Sequence, residues 1–358
     1  MSEPSRDGLR IGWSQTDLTP GRPVLVAGQF HARVSESVLD PITATALALE
    51  SAEAGDHAVL VSCDLVTISD ELRDAVRERL KPRAPGLDPV KVFLNGTHTH
   101  TGPEVRVEKV GAANVSGRLG IELDVTDPAD YLAFAAERIA ASVEQAWTSR
   151  APGGVSFGLG HAVVGHNRRW TAFDGVSTMY GNTNAPGFSH IEGYEDHSVN
   201  LLCTWDAERQ LTGLVVNLAC PSQVSESAFV VSADYWHETR QELRRRLGTG
   251  LFVLPQCSAA GDQSPHHIIG RATEDRMLKL KGRTQREEIG ARIADVVMTI
   301  LPHLQQDIAW QPAFAHRVET VEISRRLLTE ADVTEALAEA QRHRECYEAA
   351  RRELESKP

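Results

Sequence analysis

The chain lacks the marks of a membrane-spanning, secreted or nucleic-acid-binding protein. No apolar run in its 358 residues approaches the roughly 18 residues that a membrane-spanning helix needs. The opening stretch, Met1 to Gln15, is polar and of mixed charge, so we expect no secretory signal. Lys and Arg total 37 against 49 Asp and Glu, a formal net charge of −12. An acidic chain of this kind is not expected to bind nucleic acid in bulk, because that requires a basic face.

Cysteine is also scarce. The five cysteines are irregularly spaced, with no Cys-x-x-Cys, and occur at Cys63, Cys203, Cys220, Cys257 and Cys346. A disulfide framework or a zinc knuckle is therefore not expected, and a reducing cytoplasm suits the chain best.

What the chain does contain is an alternation of short apolar runs and helical patterns. The predicted strands are Ala58–Val66, Val90–Leu94, Val155–Val164, Val199–Thr204, Leu211–Ala219 and Leu251–Leu254. The predicted helices are Asp70–Lys81, Pro128–Trp147, Tyr235–Leu247, Gln285–Leu301 and Glu330–Glu355. Near-continuous apolar strands are typical of sheets covered on both faces. We therefore predict an α/β fold with mixed, largely buried β-sheets flanked by helices, in an αββα-like layered core.

The densest polar segments follow directly after apolar strands. They are Asn95–Pro103, Cys220–Gln223, Ser258–His267 and the single residue Asp64. Ligands of open α/β sheets bind at the carboxyl ends of strands, so we expect these segments to converge on one pocket.

Two of these segments carry chemistry of their own. His98 and His100 lie two residues apart, so in an extended segment both imidazoles would face the same side. Such a pair can hold a divalent metal, or place one ligand beside one substrate contact; the alternative is a surface turn with two unrelated histidines. In the second segment, Asp262 can accept backbone amide bonds in a tight turn, and Pro265 restricts Ser264 to an extended conformation. An Asx-turn without chemistry is the alternative there.

The polar stretch Gly165–Asp196 is long for a connection within a compact domain. We interpret it as an ordered loop on the substrate side. His31 and Arg33 are also two residues apart, so they would share a face that contacts an anion or carboxylate, unless they are a surface pair.

Several segments resemble the neutral ceramidase family. Asn95–Glu104 resembles that family's His-Thr-His-[Ser/Thr]-Gly-Pro segment, and Ala259–His267 resembles its Gly-Asp-x-Ser-Pro-Asn segment, with His266 in place of the usual Asn. Further similarity lies in Ile11–Pro20, Phe30–Arg33 and His166–Arg169. The order and spacing of these segments match over roughly residues 10–300.

The resemblance implies a zinc-dependent amidase site. By matching position, His98 would bind zinc, His100 would face the scissile carbonyl, and Ser264 would lie near the substrate head group. Asp262, in the same turn as Ser264, is assigned to the catalytic group with it, and Arg168 is a substrate-contact position. Cys220 stands where the family has its second zinc-binding His. Thiolate is a good zinc ligand, and His237 is the other candidate.

The chain departs from the family towards its C-terminus. The family takes a Glu and a Tyr ligand from segments beyond the Gly-Asp-x-Ser-Pro turn, whereas this chain continues into a charged helix. We therefore predict a ceramidase-like catalytic domain over residues 1–325 and a charged C-terminal helix over residues 326–358. Either the chain is a truncated member, or the remainder lies outside it. The family's immunoglobulin-like domain and lipid-binding apparatus have no counterpart here, which argues against ceramide itself as the substrate.

The sequence thus predicts a zinc-dependent hydrolase in which a metal-activated water attacks an amide or related bond of a small polar substrate. Two alternatives remain open: a hydrolase acting on a carbohydrate, and a non-catalytic binding protein on the same scaffold. The expected partner is a small molecule, and the charged final helix leaves a homo-oligomer open.

Overall fold

A computed structural model describes residues 8–51, 55–107 and 123–356 of the chain. Contacts divide the chain into two units, Met1–Arg317 and Val318–Pro358. The domain boundary expected between residues 325 and 326 stays a prediction.

The described part of the chain contains fifteen β-strands. In chain order they are β1 (Leu9–Asp17), β2 (Ser37–Val38), β3 (Thr43–Ser51), β4 (His57–Cys63), β5 (Val92–Gly96), β6 (Ala151–His161), β7 (His166–Asn167), β8 (Arg169–Ala172), β9 (Ser177–Met179), β10 (Phe188–Ile191), β11 (Ser198–Asp206), β12 (Leu211–Leu218), β13 (Val230–Val231), β14 (Phe252–Cys257) and β15 (Gln263–Ser264).

Six α-helices lie in the same described residues. They are α1 (Asp70–Arg83), α2 (Pro128–Thr148), α3 (Tyr235–Leu247), α4 (Arg271–Lys281), α5 (Gln285–Leu304) and α6 (Glu330–Glu355). None of the helices in the described ranges is long and apolar enough to cross a bilayer.

Eight strands form one mixed sheet in the order β14-β12-β11-β6-β1-β3-β4-β5. The pairs β12/β14 and β4/β5 are parallel, and the other neighbouring pairs are antiparallel. The mixed α/β class predicted from the sequence is therefore confirmed. The two strands of each parallel pair, β4/β5 and β12/β14, have their carboxyl ends on the same side of the sheet. The polar segments that follow the strands of one pair therefore start close together.

The sheet folds over on itself, so its two halves face each other. Trp13 of β1 stacks on Phe252 of β14, with ring centroids 5.6 Å apart, and β14 also contacts β3, β4 and β5. A buried apolar cluster with Leu9, Leu47 and Leu254 fills the space between the halves. This inner apolar layer excludes water from the two surfaces of the sheet that face each other.

Helices cover the outer face of each half. Helices α1 and α2 pack on the half that contains β3 and β4, and α3 and α5 pack on the half that contains β11 and β12. Helix α5 approaches β6 closely, since a Cβ atom on Gly160 would lie 2.2 Å from Val296. The layers therefore follow the predicted αββα-like order.

The second unit consists of an extended segment and α6. The Thr329 hydroxyl caps this helix by accepting a hydrogen bond from the Asp332 backbone amide, and the Asp332 carboxylate accepts one from the Thr329 backbone amide. This is the capping box expected from the sequence. No residue of α6 is buried.

Candidate active site

The ends of β4, β5 and β12 meet at one place. The Thr97 amide donates to the Cys63 carbonyl at 2.9 Å, and the His98 amide donates to the Leu65 carbonyl at 3.1 Å. From the other half of the sheet, the Ser222 hydroxyl donates to the Thr97 carbonyl at 2.9 Å. The predicted convergence of strand-end segments is therefore observed, and it is fixed by backbone hydrogen bonds.

His98 is held so that one ring nitrogen stays free. Its backbone is left-handed, with φ of 60°, and its Nδ1 donates to the Val66 carbonyl at 2.7 Å. A donating Nδ1 leaves the lone pair on Nε2, which is the tautomer that a metal-binding histidine needs. Burial, the neighbouring His100 and the Arg168 guanidinium together lower the pKa of His98, although the bond to Val66 opposes them. The imidazole is therefore neutral at neutral pH.

His100 is buried beside a carboxylate. Its ring lies 5.0 Å from that of His98, centroid to centroid, and its Nδ1 lies 3.3 Å from a Glu226 carboxylate oxygen. The Gln223 amide donates to the other ring nitrogen at 2.9 Å, while the buried Gln223 Oε1 has no hydrogen-bond partner in the described residues. A histidine paired with a carboxylate can take up a proton, because the carboxylate stabilises the imidazolium.

Glu226 bridges two histidines. Its second oxygen accepts from His266 Nε2 at 3.1 Å. Burial raises the pKa of Glu226, but hydrogen bonds from His100 and His266 outweigh it and lower the pKa to about 2. The carboxylate is therefore charged across the physiological range.

Ser264 lies in a short ladder opposite His166, where β15 pairs with β7. Its hydroxyl oxygen accepts from the Tyr180 hydroxyl and from the His266 amide, both at 3.1 Å. Arg168 donates to the Tyr180 hydroxyl at 3.3 Å and to the Gly261 carbonyl at 2.9 Å. The result is a relay from Arg168 through Tyr180 to the buried Ser264 hydroxyl, which makes no donor bond in the described residues.

Asp262 organises the turn before Ser264. Its carboxylate accepts from the Asn167 amide at 2.9 Å, and its carbonyl accepts from the Arg168 amide at 2.8 Å. The catalytic role assigned to Asp262 stays a prediction; its observed contacts fix the position of Arg168.

Arg33 lies underneath His100 rather than on the surface. Its guanidinium is buried and donates to the carbonyls of Ala27 and His100 at 2.6 Å, and to those of Glu226 and Ala228 at 2.7 and 2.8 Å. These bonds tie together the segments that carry His100 and Glu226. Substrate contact by Arg33 stays a prediction, as does that of His31, which is exposed.

Gly28 makes room for His100. Its φ is +102°, and a Cβ atom there would lie 2.6 Å from the His100 ring. Only glycine adopts this backbone without strain while letting the imidazole approach so closely.

The two remaining metal-ligand candidates lie apart from the His98 nitrogen. The Cys220 thiol donates to the Pro221 carbonyl at 3.4 Å and packs in the core with Trp236, and burial raises its pKa. His237 Nδ1 lies 4.0 Å from Asp40. No group of three or more His, Cys, Asp or Glu side chains is arranged to hold a metal ion within residues 8–51, 55–107 and 123–356. Both ligand assignments stay predictions.

The site includes three side chains that sequence reasoning did not single out. Gln223 and Glu226 follow the Cys220–Pro221 dipeptide, and Tyr180 lies in the middle of the long polar segment. The aromatic content of that segment was the available signal for Tyr180. Glu226 gave no comparable signal, since a Glu between two Ser residues is typical of a solvated turn.

A polar cleft of about 450 Å³ adjoins these groups. Tyr180, Glu226 and His266 form the wall that it shares with the site, and His267 lies further along.

His267 predicts a pH dependence of stability. Burial and the nearby His166 and Arg292 lower its pKa, although Glu274 and Glu195 oppose them. Between that lowered value and the unfolded value of about 6.5, the unfolded chain binds the extra proton, so stability falls as the pH falls. We expect the urea midpoint to drop between pH 7.5 and pH 5.5, and to drop less in His267→Gln. The exposed His190→Gln should behave like the wild type; equal drops in all three proteins would contradict the assignment.

The fold has known structural neighbours. A neutral ceramidase from Pseudomonas aeruginosa superposes with a TM-score of 0.64 at 22% identity, covering 83% of this chain and 45% of the other. A ceramidase described as complexed with C2 gives 0.62 at 21% identity, over 83% of this chain and 44% of the other. The chain thus spans less than half the length of these proteins. No protein-family model matches the chain, and no curated protein matches its sequence.

Proposed function

We propose that this chain is a hydrolase of the ceramidase type that cleaves an amide bond in a small polar substrate, with zinc as its cofactor. The observation that carries the proposal is the arrangement around Ser264: the Arg168–Tyr180–Ser264 relay stands at the strand ends with the His98–His100 pair. The fold, shared with two solved ceramidases, supports the same class of chemistry.

Amide hydrolysis needs three things from these residues. Water must lose a proton as its oxygen bonds to the carbonyl carbon, the carbonyl oxygen must be stabilised as it gains charge, and the nitrogen must gain a proton as the C–N bond breaks. His100 takes the proton from water at Nε2, whose lone pair the Gln223 carboxamide must first release, and passes it to the leaving nitrogen. The Glu226 carboxylate stabilises the imidazolium between these events. The unpartnered Gln223 oxygen is an acceptor that can hold the water beside His100.

The Ser264 hydroxyl is suited to the oxyanion. Its oxygen accepts two hydrogen bonds, so its own proton remains to be donated. The Arg168 guanidinium polarises Tyr180, and through it Ser264 becomes a stronger donor.

The residues fit zinc in part. The free Nε2 of His98 is a suitable donor, since its tautomer is fixed by the bond to Val66. Cys220 fits by residue type, but its thiol is bonded to a carbonyl in the core and must lose its proton to bind metal. When bound, zinc supplies a Lewis acid that polarises the carbonyl and lowers the pKa of water.

A non-catalytic binding protein is the second candidate. The arrangement of the described residues, which lacks three assembled metal ligands, favours it. Such a protein would bind a small molecule in the polar cleft without turning it over. Hydrolysis of a carbohydrate bond is the other form of the enzyme proposal, and it would normally need two carboxylates flanking the bond.

Hydrolysis of short-chain amides tests the enzyme proposal. We expect the wild type to release amine from an activated anilide, and Ser264→Ala to lower kcat by about 10²–10³-fold, as loss of one oxyanion donor does. Tyr180→Phe should lower kcat in the same direction. Tyr194→Phe is the matched control, because Tyr194 is an exposed tyrosine of the same loop. Full turnover by Ser264→Ala, or none by the wild type with zinc added, would contradict the proposal.

A further inference from the structure

The residues that line the cleft beside the site are mostly polar. Of its lining residues only Ile268 and Leu278 are large aliphatic side chains. Burial of a CH₂ group favours binding only where apolar surface receives it. A long alkyl chain would find little such surface here, so the cleft does not suit a lipid tail.

The polar groups of the cleft are of the kind that recognise hydroxyl groups. They come from two segments, one with Asn182, Thr183 and Asn184 and the other with Arg271 and Asp275. A carboxamide both donates and accepts, as a sugar hydroxyl does, whereas a carboxylate only accepts and a guanidinium only donates. Arg271 and Asp275 carry opposite charges, and the other two carboxylates of the cleft, those of Glu226 and Glu274, are paired with His266 and Arg292.

Three of these groups are free to bind. In the described residues, no side-chain hydrogen bond or ion pair engages the Asn184 carboxamide, the Arg271 guanidinium or the Asp275 carboxylate, and all three residues are exposed. The Asn182 side-chain oxygen, by contrast, accepts a hydrogen bond from the backbone amide of Asn184 and so fixes the turn over residues 182–184. The Tyr180 ring, 38% exposed, adds an apolar face between the cleft and Ser264.

We infer that this cleft binds the ring of an N-acylated amino sugar, placing its amide at the wall of Tyr180, Glu226 and His266 that separates the cleft from Ser264 and His100. This inference rests on the proposed function for its chemistry, and it names the substrate class. Water adds its oxygen to the acyl carbon, the C–N bond breaks, and the nitrogen takes a proton, so the products are a carboxylate and a free amino sugar. The cleft volume of about 450 Å³ falls in the usual range for small-molecule sites.

Binding and turnover are measured separately, on the full chain. Calorimetric titration with N-acetylglucosamine is compared with N-cyclohexylacetamide, which has a ring of the same size without hydroxyls. We expect the sugar to bind at least about 10-fold more tightly, because the cyclohexyl ring has no hydroxyl groups and leaves polar groups of the cleft without hydrogen bonds. Asn184→Leu and Asp275→Leu should each weaken sugar binding several-fold. Asn200→Leu, at an exposed position of β11 outside the cleft, should leave it unchanged.

The outcomes separate the two ideas. Equal binding of the two rings, tighter binding of a short-chain N-acyl sphingoid base, or unchanged binding in both cleft variants would overturn the inference. Release of amine from the activated anilide would still support the hydrolase in each of those cases. If the sugar binds as expected but no amide is cleaved, the substrate class of the cleft stands and the hydrolase proposal fails.

Discussion

Asp64→Ala is expected to lower the free energy of unfolding by about 3–5 kcal/mol, because it leaves a buried arginine without its partner. Arg240 donates to both Asp64 carboxylate oxygens, at 2.8 and 3.0 Å. The two side chains are 5% and 0% exposed. Asp64 also accepts from the Thr43 amide at 2.8 Å, so its loss strands a backbone donor as well. Urea unfolding monitored by fluorescence measures the effect.

Two controls separate burial from charge. Asp70→Ala removes the exposed partner of Arg73 and should cost less than about 1 kcal/mol. The double variant Asp64→Leu with Arg240→Leu removes both buried charges and should recover much of the loss. If Asp64→Ala lowers the free energy of unfolding by less than about 1 kcal/mol, water reaches Arg240 in solution and the pair is not buried as described.

The same pair explains why one strand-end residue has a structural rather than a chemical role. Asp64 directly follows β4, and Arg240 reaches it from α3. The sequence pattern placed Asp64 at the site correctly. Its partner is 176 residues away, and no local pattern predicts a contact over that distance.

Helices with strong caps and one apolar face were predictable. The predicted helix Tyr235–Leu247 has the bounds of α3, and Asp70–Lys81 falls short of α1 by two residues. Helix α4 was missed, since it buries no residue and so has no apolar stripe to reveal it. It begins after Gly270 and ends at Gly282, both in the left-handed conformation, which are the signals that were available.

Strand β3 was missed for a different reason. Its sequence, Thr-Ala-Thr-Ala-Leu-Ala-Leu-Glu-Ser, is rich in alanine, a strong helix former. In the sheet, Ala44, Ala46 and Ala48 lie on the outer face under α1 and α2, where small side chains let the helices approach. Leu47 and Leu49 point into the inner layer. Tertiary packing therefore overrides the local propensity.

The residues of the site likewise fall into two groups: those whose position the sequence pattern predicts, and those positioned by contacts distant in sequence. The segments that carry His98, His100 and Ser264 begin where β5 and β14 end, so their convergence was predictable from sequence. Glu226 and Tyr180 are brought in by loops whose course depends on distant contacts, such as the Arg33 guanidinium on the Glu226 carbonyl. The sequence shows the arginine but not which carbonyls it holds.

His98→Ala is expected to abolish activity and to lower zinc affinity by at least about 10–100-fold, which is the cost of losing even an indirect contact to a metal. The free Nε2 of His98 is the donor best prepared for a metal in the described residues. Metal content by mass spectrometry and competition with a chromophoric chelator report zinc binding without reference to turnover. His190→Ala, at an exposed histidine, is the control and should retain the wild-type affinity.

Cys220→Ser decides where the second donor lies. As a ligand, Cys220 must be a thiolate, so it should resist alkylation in the zinc-loaded protein and react after chelation. Its burial, which raises the pKa of the thiol, opposes this, and zinc would have to offset that cost. Loss of zinc in Cys220→Ser, together with recovery in Cys220→His, would establish the ligand. If zinc is retained in Cys220→Ser but lost in His237→Ala, the second donor comes from the start of α3. Full zinc content in His98→Ala would place the metal away from the strand ends altogether and remove zinc from the proposed chemistry there.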